Sequence, residues 1–154
     1  MNLIGTQFTL QNHAFEIYLS GCQAPHCPHC YNPSTWDFSA GVELNNKEVD
    51  NINKTILRAD KLIHRIFILG GEPLDQSEED LIWLLDGIEN LQKERWLFTR
   101  YNIDRVSPKI LAKLDYIKCG PYLEEERCDD NIQYGIKLAT RNQTIYNLGG
   151  TKNA

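Results

Sequence analysis

The chain has 154 residues, 42% of them hydrophobic and 24% charged, with a formal net charge of -5. That is enough apolar material for one domain with a buried core, and its scattered Lys and Arg make no basic stripe to meet a phosphate backbone. No apolar run approaches the roughly 20 residues that span a bilayer, and the first ten residues lack the basic start and apolar stretch of a signal peptide. A cytoplasmic protein with no nucleic-acid and no membrane partner is therefore expected.

Residues 14–19 alternate, with Phe15, Ile17 and Leu19 on one face, and read as a strand. The strand runs into Gly21-Cys22-Gln23-Ala24-Pro25-His26-Cys27-Pro28-His29-Cys30-Tyr31-Asn32, where three of the five cysteines gather. Residues 33–44 read as loop. The stripe Val49, Ile52, Ile56 and Leu57 predicts a helix over about 46–61. Ile66-Phe67-Ile68-Leu69 reads as a buried strand that stops at Gly70-Gly71. Ser77 has N-cap chemistry, with Asp80 in a capping-box position, before a helix carrying Leu81, Leu84, Leu85, Ile88 and Leu91. Asp75, Glu78, Glu79 and Asp80 are assigned to its first turn, where the dipole favours negative charge. A strand is expected at 96–99, and a short helix opened by Ser107-Pro108 and carrying Ile110, Leu111 and Leu114. Residues 116–119 read as a strand ended by Gly120-Pro121, and 133–138 with 143–148 as a closing strand pair.

Strands alternating with helices imply an α/β fold with a largely parallel sheet. Active sites in such sheets lie outside the carboxyl ends of the strands. The cysteine loop and the Gly70-Gly71 turn both follow strands, so they are expected at one edge, close in space.

Five cysteines in a reducing compartment suggest metal ligation or thiol chemistry rather than disulfides. Three thiolates leave one coordination position open, which suits reactivity more than a closed structural site. An iron–sulfur cluster, zinc completed by His26 or His29, and thiol chemistry all remain open at this point. The histidines adjoin Cys27 and Cys30, which strains a loop around one small ion, whereas a cubane spreads its corners. Cys119 and Cys128 are taken as one packed and one loop cysteine. Tyr31, Trp36, Tyr101 and Tyr122 are taken as packing rather than radical relays. In Gly70-Gly71-Glu72-Pro73-Leu74, paired glycines allow close approach to the backbone, and carbonyls beside a carboxylate suit an ammonium group.

Together the two segments resemble the radical S-adenosylmethionine superfamily. The likeness is closer to one branch, the activating proteins of anaerobic (class III) ribonucleotide reductase. It rests on Cys27-Pro28-His29-Cys30-Tyr31-Asn32, Ser34-Thr35-Trp36 and Gly70-Gly71-Glu72-Pro73-Leu74. Thr99-Arg100-Tyr101, the stretch from Asp115 to Tyr122 and Asn142-Gln143 also match. One departure is the cysteine spacing, usually three residues and then two; here four separate Cys22 from Cys27. A second is His29, where many members carry an aromatic beside the cofactor's adenine.

The resemblance implies a single domain, residues 1–154, folded as an incomplete β/α barrel with an open lateral mouth. It implies a 4Fe–4S cluster on Cys22, Cys27 and Cys30, with S-adenosylmethionine on its fourth iron. Gly70, Gly71 and Glu72 would hold the methionine ammonium; His29, Tyr31, Thr99 and Tyr101 would border the adenosine. The implied activity is reductive cleavage of S-adenosylmethionine, with electrons from a donor such as flavodoxin. The resulting 5′-deoxyadenosyl radical would take hydrogen from a glycine of the large reductase subunit. Another radical enzyme of the superfamily, or a non-catalytic zinc module, are the competing readings.

Overall fold

The computed structural model describes residues 1–149, at Asn90 the backbone only. In chain order the elements are β1 (Asn2–Thr9), β2 (Ala14–Leu19), β3 (Val42–Glu43), α1 (Asn46–Arg58), β4 (Arg65–Gly70) and α2 (Glu78–Gly87). They continue with β5 (Glu94–Phe98), α3 (Pro108–Leu111), β6 (Tyr116–Cys119), β7 (Ile132–Gln133), β8 (Ile136–Lys137) and β9 (Thr144–Asn147). The main sheet has the order β3-β1-β2-β4-β5-β6-β9. Its four central strands β2, β4, β5 and β6 are parallel. The edges are antiparallel: β1 on β2, β3 on β1 and β9 on β6. The sheet is thus mixed, with the expected parallel unit at its centre.

Strand periodicity sorts the side chains onto two faces. Phe15, Ile17, Leu19, Ile66, Ile68, Leu97 and Ile117 pack on one face with Val49, Ile52 and Ile56 of α1 and Leu81, Leu84 and Leu85 of α2. The other face carries Glu16, Phe67, Trp96 and Tyr116 in register across the four parallel strands. Trp96 is fully buried there, its ring stacked 4.2 Å from that of Tyr116. Leu138 and Ile145 from the late segment help cover this face.

Five expectations change. Leu57 is 57% exposed, because at 100° per residue it lies beside Ile56 and turns outward. Helix α1 stops at Arg58, three residues short. Helix α2 ends at Gly87, whose missing Cβ admits Val49 and whose carbonyl accepts from Asn53 Nδ2 at 2.9 Å. Ile88 and Leu91 stay buried, but Leu91 belongs to a separate 3-10 turn. The two late segments do not pair as one hairpin. Tyr134 and Gly135 both have positive φ, 49° and 79°, a two-residue turn that closes β7 directly on β8. β9 is left to pair with β6. Finally, β1 was not expected at all: only Leu3 of its eight residues is buried, so it carries almost no core signal.

Candidate metal centre

The carboxyl ends of β2, β4, β5 and β6 meet at one edge; residues following β2, β4 and β5 line the site, and β6 adds Lys118 from within the strand. After β2 the chain is drawn back on itself. Gly21 N donates to Thr35 O at 2.7 Å and Cys22 N to Trp36 O at 3.0 Å. Thr35, 3% exposed, braces this return through Oγ1 to Asn32 O at 2.7 Å. After β4, Gly71 N donates to Leu19 O and Glu72 N to Gly21 O, each at 2.8 Å. The two motifs are therefore joined backbone to backbone.

The glycines serve that junction. A Cβ on Gly70, where φ is +121°, would lie 2.3 Å from Leu19 O; one on Gly71 would lie 2.3 Å from Gly21 O. What comes close to these two residues is the protein's own backbone.

Cys22, Cys27 and Cys30 all line one cavity of about 180 Å³, shared with Thr35, Trp36, Gly70, Gly71, Glu72, Phe98, Thr99, Arg100 and Lys118. All three are free thiols. Burial pushes the Cys22 thiol up to about 11, against the lowering influence of the Arg100 guanidinium. Neither His26 nor His29 lines this cavity. His26 stacks on Trp36 with ring centroids 3.7 Å apart and donates from Nε2 to Cys22 O at 2.9 Å. His29 is exposed, with φ +57°. Among the described residues no three His, Cys, Asp or Glu side chains converge on the position of a single ion. The donor set is three soft thiols lining a shared space, with no imidazole among the lining residues, and fits an iron–sulfur cluster with one open corner.

Of the other expected residues, Thr99 and Glu72 belong to the cavity and bond each other. Glu72 is 2% exposed. Its Oε1 accepts from Thr99 Oγ1 at 2.6 Å and Leu74 N at 3.0 Å, and its Oε2 from Arg100 N at 2.8 Å. Burial pushes this carboxyl up, and the three donors oppose the shift. Glu72 thus latches the turn after β4 to the end of β5. Glu72→Gln turns an amide N–H toward an N–H donor; we expect a loss of about 1–3 kcal/mol in urea unfolding of the metal-free chain. Tyr101 stands outside, lining a neighbouring hollow of about 350 Å³ with His26 and Tyr122. Tyr31 is 95% exposed, so it does not serve as core packing. His29 and Tyr31 follow the thiols in sequence but not in the cavity.

Three residues escaped sequence reasoning. Asp75 is not in the first turn of α2. It closes the 3-10 turn Pro73–Asp75, with its side chain 4% exposed beside Arg100. Arg100 itself drew notice only as a neighbour of Thr99. Lys118 is half-buried at the cavity floor and donates to Gly120 O at 3.1 Å. Burial lowers its pKa, and the Glu72 charge opposes this. Period-2 alternation in β6 does place Lys118 on the Tyr116 face, and a lysine there is the signal that was available. Cys119 is 2% exposed in the helix-side core, and Cys128 lines a separate pocket with Tyr31 and Tyr122.

The sequence model of a family described as a 4Fe-4S single cluster domain matches residues 13–145, and the chain belongs to that family. Among curated relatives it is 28% identical over 120 residues to the anaerobic ribonucleoside-triphosphate reductase-activating protein of Haemophilus influenzae, covering 71% of this chain and 74% of that one. It is 27% identical over 142 residues to the protein of the same name from Pasteurella multocida, 84% of each. A 7-carboxy-7-deazaguanine synthase of Pyrobaculum aerophilum is 32% identical over 90 residues, 58% of this chain but 35% of that protein. The resemblance to the reductase-activating branch therefore extends beyond the motifs to most of the chain. No helix among the described residues is long and apolar enough to cross a membrane.

Proposed function

We propose that this chain activates an anaerobic ribonucleotide reductase by generating a glycyl radical on its large subunit. The observation that carries the reading is the convergence of three free thiols on one cavity walled by Gly70, Gly71 and Glu72, in a chain similar to reductase-activating proteins. Cys22, Cys27 and Cys30 would hold a 4Fe–4S cluster. When bound, it would supply one-electron reduction, fed by a donor such as flavodoxin, to cleave S-adenosylmethionine to methionine and the 5′-deoxyadenosyl radical that would take hydrogen from the partner's glycine.

The chain's own groups bind and orient. Gly70 and Gly71 present backbone to the cavity, which suits the methionine ammonium. Lys118 brings a positive charge to the floor, which suits the methionine carboxylate. Phe98 and Trp36 offer flat apolar surface for the adenosine; His29, Tyr31 and Tyr101 lie outside this cavity and would border the adenosine only where it extends past it. Thr99 acts through Glu72. The parallel unit with its antiparallel edges is read as a partial β/α barrel, one domain over 1–154, whose open side receives a large cytoplasmic partner.

Anaerobic reconstitution with iron and sulfide is expected to give a brown protein. Its reduced form is EPR-active and converts S-adenosylmethionine to methionine and 5′-deoxyadenosine. Adding the large reductase subunit then yields a glycyl radical signal. A colourless protein with one tightly held zinc overturns the cluster. Cleavage without a radical on the reductase moves the reading to a small-molecule radical enzyme, the direction in which the deazaguanine synthase likeness points.

A further inference from the structure

The spacer Gln23-Ala24-Pro25-His26, one residue longer than the usual three, is gripped on its backbone from outside the loop. Asp75 Oδ2 accepts from Gln23 N at 2.7 Å. Arg100 Nη2 donates to Gln23 O and Nη1 to Pro25 O, each at 2.6 Å. Asp75 and Arg100 also bond each other, Nη2 to Oδ2 at 3.3 Å. Tyr101 donates to Asp75 Oδ1 at 2.6 Å, and its ring lies 5.2 Å from the Arg100 guanidinium carbon. At the spacer's end, His26 returns to Cys22 O.

We infer that Asp75 and Arg100 are positioning residues that fold the lengthened spacer so that Cys22 and Cys27 face the same cavity. This rests on the cluster reading above. The physical reason is the fork of arginine. A planar guanidinium reaches two carbonyls two residues apart while a third contact goes to a carboxylate; lysine, a point donor, cannot hold all three in fixed directions. A spacer with an added residue has more conformations to lose, and these charge-assisted bonds select one of them. The clamp comes from two different strand ends, so it also ties the loop to the cavity wall that Gly70 to Glu72 and Thr99 build.

The test compares Arg100→Lys and Asp75→Asn in two backgrounds: the natural chain, and a chain with Ala24 deleted to restore the three-residue spacing. In the natural chain both variants should lose cluster iron to a chelator at least about tenfold faster, the scale of effects from groups that orient metal ligands. Their reduced EPR spectra should broaden. In the shortened chain the same substitutions should change these readouts less than twofold. Metal-free protein gives an independent readout, in which each variant raises the alkylation rate of Cys22 relative to Cys30. Thermal unfolding and far-ultraviolet circular dichroism establish that each variant is folded, and Tyr101→Phe, which removes one bond to Asp75, is the milder substitute where one is not. Unchanged iron loss in Arg100→Lys overturns the inference, as does equal loss in both spacer lengths. If the natural chain takes up no cluster, that reading fails by itself. The clamp is then judged on the alkylation ratio, and an unchanged ratio refutes it.

Discussion

Replacing Cys22, Cys27 or Cys30 with alanine is expected to reduce iron bound after anaerobic reconstitution to background, and S-adenosylmethionine cleavage with it. Each thiol lines the cavity, and neither of the other cysteines can stand in. Cys119 points to the opposite face of β6, into the helix-side core, and Cys128 belongs to another pocket. Cys128→Ala should therefore keep full iron content and cleavage. Cys119→Ala should keep its iron too, at a cost of about 1–2 kcal/mol in stability from the cavity left behind. Iron per chain and 5′-deoxyadenosine formed are the measurements. Cys22→Ala with an intact cluster would remove Cys22 from the ligand set, and loss of iron in Cys119→Ala would place that thiol in it.

Gly71→Ala should produce the second large effect. The added methyl would sit 2.3 Å from Gly21 O, 2.7 Å from Gly21 C and 2.9 Å from Thr35 O. All three atoms are backbone, so no side chain can swing aside. Relief requires the cysteine loop to move off the end of β4, which breaks the bond from Glu72 N to Gly21 O and strains that from Gly21 N to Thr35 O. The expected cost is about 1–3 kcal/mol in urea unfolding of the metal-free chain. Iron content should fall below that of the parent, because Cys22 follows Gly21 directly. Gly70→Ala is the harsher companion, since its φ of +121° adds backbone strain to the contact. Gly71 is the cleaner test: its penalty comes from contact alone. A Gly71→Ala chain with parental stability and iron content would refute the junction described here.

The cysteine triplet and the Gly-Gly-Glu turn were legible because each follows a strand with a strong local signal. Parallel strands put their carboxyl ends at one edge, so adjacency followed from the alternation of elements. Ser77 was legible for a local reason too: an N-cap needs only the next turn, and its hydroxyl accepts from Asp80 N at 3.1 Å. Where a segment's role depends on remote partners, the sequence misled. The acidic run suggested one helix start for Asp75 and Asp80 alike, yet Asp75 answers to Gln23, Arg100 and Tyr101. The late segments looked like each other's partners, but two residues of positive φ closed the hairpin early.

By itself, then, the sequence determined the chemistry available: three soft donors, with His26 and His29 beside them, delivered by a loop at the end of a strand. Local periodicity and capping also determined the parallel centre of the sheet. The tertiary structure decided which neighbours those donors have. It turned His26 onto Trp36 and left His29 and Tyr31 to solvent. It spent Glu72 on latching two strand ends and set Lys118 at the cavity floor. Above all it brought Arg100 and Asp75 to the spacer after Cys22. The reason is physical. Hydrogen bonds spanning 52 to 77 residues are fixed by how strands register side by side, and no local pattern encodes that.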